Sequence, residues 1–401
     1  MAGHPRGVTM KSARWATLSL ILSAFLSGCK GFWDLPASTG SGGTTPTTES
    51  SGVFYVLNQT TDQIVTYSID SGTLAKISLL TPPSPGLLAI AVAPNGQFLY
   101  VSTSGGIYVY SIASNGALTL GNSNQAISSD LATTMQVDST DSWLVDAISG
   151  SSELNAIAVD STTGALAVAG ETEQQFPGGL PTTTPMQLAI SPGDSSSCTD
   201  CYVFVGMDSG GTEMIHFVPS NANPFGTSGH INLVNSSGGD NAVAVDPSNR
   251  LLYVGETEAL PSATQSGGLR VFTIGSSGVT EFTGTSYPYS TGGAGPVAIL
   301  PTSDGDYLFV ANRSVSGSSS ANIAEFSVTD IALTSIGTVA AGAEGQIGLA
   351  EDSLSHFVLA VDFASDPDFE AYTMSSGALT AAITSTTGTD PVGAIAIAAL
   401  P

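Results

Sequence analysis

The chain has 401 residues, 42% of them hydrophobic and only 10% charged, with 46 glycines, which is too apolar for a disordered chain and too poor in charged helix formers for long helices. Its formal charge is −25 with eight Lys and Arg in all, so phosphate-rich partners are repelled and nucleic acid is excluded as a ligand. The same acidity argues against direct electrostatic docking on an anionic membrane.

The first element is a leader. Arg6, Lys11 and Arg14 precede an apolar run at residues 15–25, with no Asp or Glu before residue 29. That run has the length of a signal-peptide core and is too short for a comfortable membrane span. It ends in Leu26-Ser27-Gly28-Cys29, which resembles a bacterial lipobox. The resemblance implies cleavage before Cys29 and diacylation of its sulfur, leaving 1–28 as a lipoprotein signal peptide and a mature charge of −28. Two or three acyl chains anchor a protein stably where one is marginal. The expected partner here is therefore a membrane, reached through acyl chains on Cys29. Lys30 follows, with no Asp to suggest retention at an inner membrane, so an outer-membrane address in the cell envelope is preferred, with the periplasmic or surface face open. An ordinary secretory signal with a chance cysteine is the alternative. Residues 29–52 read as the lipidated Cys and a Gly/Ser/Thr/Pro tether, about 25 Å in root-mean-square span.

From residue 53 a unit of four short strands recurs. Its plainest copy is LLAIAVAPNGQFLYVSTSGGIYVYSIASNGALTL at 87–120, a meander with Asn-Gly and Gly-Gly turns. The six full copies begin near Leu87, Thr133, Pro185, Asp240, Pro296 and Gln346. Their first hairpins include QVDSTDSWLV, AVDPSNRLLYV and AEDSLSHFVLAV, each an apolar strand, a polar turn and an aromatic-aliphatic strand. Two fragments remain: 53–79 lacks a first strand, and 390–401 is a first strand with nothing after it. Joined, they make a seventh unit. The predicted fold is all-β, a seven-bladed β-propeller over 53–401, closed by pairing the C-terminal strand with the N-terminal three; closure removes sheet edges.

The second-strand phrases FYVLNQ, FLYVST, LLYVGE and LFVANR resemble those of YVTN repeats and of the seven-bladed, 6-phosphogluconolactonase-like lactonase propellers. Asn312 and Arg313, in VANRS, match the Asn-Arg those enzymes carry at this point of the blade, so the resemblance implies an anion-holding Arg313. A surface Arg paired with nearby acids is the bland alternative. Other enzyme residues are missing. The Gly-Pro-Arg-His run entering blade five is replaced here by Gly239-Asp240-Asn241-Ala242, the Asn-Glu after strand two by Glu256-Thr257, and a blade-six His by Ala298-Ile299.

Long connections at 255–268, 312–321, 362–368 and 171–185 all open on one face, which marks it as the expected binding face. GETE occurs there twice, at 170–173 after a fourth strand and at 255–258 after a second strand. Glu171, Glu173, Glu256 and Glu258, with Asp362, Asp366 and Asp368, could form an acidic funnel for a cation or basic ligand; equally, a chain this acidic scatters carboxylates without a ligand. His216 falls in a third strand, His230 in a strand-three-to-four turn and His356 in a strand-one-to-two turn, too dispersed for a zinc centre. No metal centre and no cofactor is expected. Cys198 and Cys201 are expected to form a disulfide, as suits an exported protein.

The expected function is a lipid-anchored binding or interaction module that takes a protein, carbohydrate or small-molecule ligand. The alternative is a lactone hydrolase resembling 6-phosphogluconolactonase.

Overall fold

A computed structural model describes residues 50–401 apart from 71–72, 152, 177–184, 193–197, 199, 236–237, 258–267, 285–287, 294, 314–320, 331, 342–346, 364–367 and 385–392. Cys29, Glu258 and Asp366 lie outside the described residues, as does the leader. Among the described residues no helix is long and apolar enough to cross a membrane.

Seven four-stranded antiparallel sheets follow one another around the chain, and each is a meander of neighbouring strands. Blade two runs Leu87–Val92, Phe98–Thr103, Gly106–Ile112 and Leu118–Leu120. In blade one the order is Ala394–Ala399, Ser50–Asn58, Gln63–Asp70 and Thr73–Leu80. Val56 there faces Ile397, and Leu57 faces Ala396, so the C-terminal strand closes the ring as its leftover sequence requires. The first strand starts at Ser50, three residues before the expected edge of the tether.

Five of the first hairpins, those of blades three to seven, share a device that explains their polar turns. The residue after strand one accepts hydrogen bonds from the backbone where strand two begins. Asp138 takes the N–H groups of Ser142 (2.8 Å) and Trp143 (2.6 Å). Asp246 takes Leu251 (2.7 Å), and Asp352 takes His356 (2.7 Å). Ser191 and Thr302 do the same with hydroxyl oxygens toward Tyr202 and Tyr307. Each satisfies backbone donors that a tight turn otherwise leaves unpaired.

Neighbouring blades are welded by aromatic side chains of strand two. Tyr55 donates to the Gly116 carbonyl of blade two at 3.0 Å, and Tyr100 donates to Gly164 of blade three at 3.0 Å. Tyr202 reaches Gly275 of blade five at 3.0 Å. Gly164 has φ +70°, and a Cβ there would stand 2.6 Å from the Phe98 ring. The close approach of this turn therefore demands glycine. Aliphatic and aromatic residues fill every blade interface, each large buried side chain contributing about 1.5–3 kcal/mol.

Two local expectations are corrected. An expected fourth strand ahead of the GETE at 170–173 falls on the run 162–170 of blade three. Instead Leu166 makes a single bridge to Val159, residues Val168–Gly170 form one 3-10 turn, and the fourth strand is Thr172–Gln175. The run is mostly Ala and Gly, and its Val168 is exposed, so it has little to bury as a strand. The first GETE thus enters a fourth strand and does not follow one. His230 belongs to the fourth strand Phe225–Ile231, not to a turn, because the turn closes earlier through the Val218 N–H and the Pro224 carbonyl.

Candidate functional site

The first strands surround a central channel. A cavity of about 240 Å³ is lined by Leu88, Thr133, Met186, Gln187, Ile347 and Ile395 among others. Among the described residues, none of its lining side chains is ionisable. The lining residues are aliphatic, Gly, Thr, Met or Gln. Leu131, Met186 and Phe363 stand exposed at the ends of strands on the long-loop face.

Around this face, most of the singled-out polar residues hold connections in place. Asn312 is fully buried: its Nδ2 donates to the Thr291 carbonyl (3.0 Å) and to Asn322 Oδ1 (2.7 Å), and its Oδ1 accepts from the Thr291 hydroxyl (2.7 Å). Arg313 next to it is exposed, with its backbone N–H on the Gly295 carbonyl at 2.7 Å. Asp362 and Asp368 are both buried. The Asp362 N–H bonds the Asp368 carbonyl, and the Asp368 carboxylate accepts the Gly393 N–H, tying the blade-seven loop to the closing segment.

Glu256 is buried at the end of strand two of blade five. Its carboxylate accepts the N–H groups of Val234 and Asn235 and a 3.0 Å bond from Arg270 Nη1. Arg270 also reaches Glu281 through Nε (2.6 Å) and the Asn232 carbonyl (2.9 Å), and lies over the Phe272 ring. Asp240 is nearby; burial pushes its carboxyl up to about 7, and Thr212 donates to it at 2.7 Å. Arg270 escaped the sequence reading. It sits in an ordinary-looking strand, GLRVFTIG, and only the scarcity of cations in this chain marks it.

Glu171 and Glu173 lie instead on blade three, away from Glu256. Glu171 bonds the Asp130 carboxyl, and burial with the charges of Asp130 and Glu173 pushes it up to about 7. Behind it Asp146 is wholly buried; desolvation, with Asp130 and Glu171 nearby, holds its carboxyl well above the usual range. The structure therefore distributes the expected funnel over three places: blade three, the Arg270 network of blade five, and the closing loop of blade seven. Asp130 and Asp146 were not singled out by the sequence, since neither falls in a motif.

Cys198 and Cys201 are joined in the first turn of blade four, their Cα atoms 5.5 Å apart. His216 packs edge-on to Tyr202, while His230 pairs with buried Glu213 at 2.7 Å.

Residues 47–183 match the family model of the lactonase, 7-bladed beta-propeller. The folded chain is similar to a Bacteroides fragilis protein assigned as a 6-phosphogluconolactonase, at 15% identity and TM-score 0.66, covering 90% of this chain and 100% of that one. It is also similar to the periplasmic gluconolactonase PpgL of Pseudomonas aeruginosa, at 17% identity and TM-score 0.63, covering 88% and 99%. No curated protein matches the chain. At such identities the likeness is one of fold, and it agrees with the seven blades found here.

Proposed function

We propose that this lactonase-like propeller is a binding module, exported and held to the bacterial cell envelope by acyl chains on Cys29, with the long-loop face and its channel mouth as the ligand surface. One observation carries the reading: the channel lining holds no ionisable side chain among the described residues. General acid–base chemistry needs a titratable group within hydrogen-bond reach of the reacting atom. Glu256 is already committed to Arg270 and two backbone donors, and Asn312 to Thr291 and Asn322. What the channel offers suits a small uncharged ligand, with aliphatic walls for its body; Thr133, whose hydroxyl donates to the Ala147 carbonyl (3.2 Å), is left to accept, and Gln187, whose Oε1 takes the Val243 N–H (3.1 Å), is left to donate through Nε2. Saturable stabilisation of the full chain by neutral sugars or lactones tests this. Loss of that effect on Gln187→Ala supports the channel as the site, and no stabilisation by any neutral ligand counts against it.

Lactone hydrolysis is the second reading. The family match over 47–183 and the fold of PpgL favour it. Exposed Arg313 would then hold the carboxylate or phosphate of the substrate. Turnover of a lactone panel that disappears in Arg313→Ala is the result this reading requires.

A further inference from the structure

Blade three carries a buried acid at a strand-two position that is apolar in the rest of the ring. The registers of the first two strands align Asp146, opposite Met135, with one position in every other blade. Those positions are Val56, Val101, Val205, Val254, Val310 and Ala360, each opposite the matching residue of its own first strand. All six are buried and apolar. Asp146 is just as buried, and its Oδ2 has no hydrogen-bond partner; Oδ1 accepts from Asn155 at 3.3 Å. A carboxylate at a core position costs several kcal/mol unless it is protonated or paired, so a bound cation is the partner that lets Asp146 ionise there.

The neighbouring blades supply theirs internally. In blade four Glu213 has His230, and in blade five Glu256 has Arg270. Glu213 and Arg270 occupy the third-strand position that Asn155 holds in blade three. Blade three has only acids: Asp130, Glu171 and Glu173 gather on Asp146 and Asn155, with Glu173 directly across from Asn155. Among the described residues no Lys, Arg or His pairs with any of them.

We propose that blade three binds a divalent cation, calcium in preference to magnesium, through the carboxylates of Asp130, Asp146 and Glu171. The ion does for this blade what Arg270 does for blade five. Hard oxygen donors of uneven spacing suit calcium, which tolerates irregular shells, better than magnesium, which demands a near-octahedral one. Among the described residues the three carboxylates do not all lie within 4.8 Å of one another, although Glu171 bonds Asp130. Binding has to draw them together, and that cost sets a modest affinity, with a dissociation constant of roughly 10⁻⁴–10⁻³ M, the range of extracellular calcium modules.

Calorimetric titration of the full chain with calcium chloride, and thermal melts with and without it, test the proposal. Calcium should bind saturably and raise the melting temperature, and magnesium should do so more weakly. Asp146→Asn should weaken calcium binding about tenfold or more. Asp146→Val installs the residue type that five other blades carry; it should fold and show no calcium response. The proposal is overturned if the unaltered chain shows neither heat nor a melting shift. It is also overturned if magnesium matches calcium, which marks diffuse screening of an acidic chain, or if Asp146→Asn keeps the full calcium response.

Discussion

The indole N–H of Trp143, in blade three, donates to the Pro219 carbonyl of blade four at 2.8 Å. It performs across this interface the task that the hydroxyls of Tyr55, Tyr100 and Tyr202 perform across others. Trp143→Phe keeps most of the apolar contact and removes the donor. It should destabilise the propeller by about 0.5–1.5 kcal/mol, the net worth of a part-buried hydrogen bond, measured as a lower urea midpoint with unchanged slope.

The network around Arg270 yields a larger effect. Removing the cation strands Glu256, which is fully buried and 3.0 Å from it. Arg270→Met should therefore cost about 3–5 kcal/mol. Adding Glu256→Gln should recover part of that loss, because the stranded charge goes with it. If the double variant is no more stable than the single one, the pairing is not what holds the 232–235 connection.

Acidity at blades three and five sets a pH dependence. Glu171 titrates near 7 in the fold against 4.5 for an ordinary Glu, and Asp240 near 7 against 3.8. Between those values the folded chain holds protons that the unfolded chain has lost. Stability must therefore fall as pH rises through this window, the reverse of the behaviour of salt-bridged carboxylates. Urea midpoints measured in calcium-free buffer should decline from about pH 5 to about pH 7, and Glu171→Gln should flatten part of the decline. A midpoint that rises over the same interval contradicts the assignment.

Ring closure rests on the strand Ala394–Ala399. Deleting residues 393–401 exposes the edge of Ser50–Asn58 and uncovers Tyr55 and Leu57. The truncated chain should lose cooperative unfolding or melt far lower. An unchanged melt would show that the ring does not depend on its last strand.

Cys29→Ala should leave the precursor without acyl label. Label still incorporated by the variant would refute the lipobox reading.

The repeat was legible because it is written in the backbone's own terms. Apolar strands, Asp or Asn turns and a split last blade follow from period-two burial and edge closure, so the seven sheets, the closing strand and the cysteine pair could be read directly. The site was less legible, for physical reasons. Glu256 and Glu171 share a GETE motif, but one terminates a strand beneath a buried Arg and the other enters a strand among acids. Motif identity says nothing about burial partners that arrive from residues 130, 146 or 270. Asp146 is visible as unusual only once strand registers show that six other blades place Val or Ala there. The fourth strand of blade three was misplaced because ALAVAG has the turn-then-apolar look of a last hairpin without the side chains to pack as one.

The central claim is that the channel binds and does not hydrolyse. It is tested most directly by incubating the unaltered chain with a panel of neutral and acidic lactones, following ring opening and melting temperature together. The account predicts no turnover above the uncatalysed rate, with saturable stabilisation by uncharged members of the panel. Catalysed ring opening that vanishes in Arg313→Ala would contradict it and establish the hydrolase reading instead.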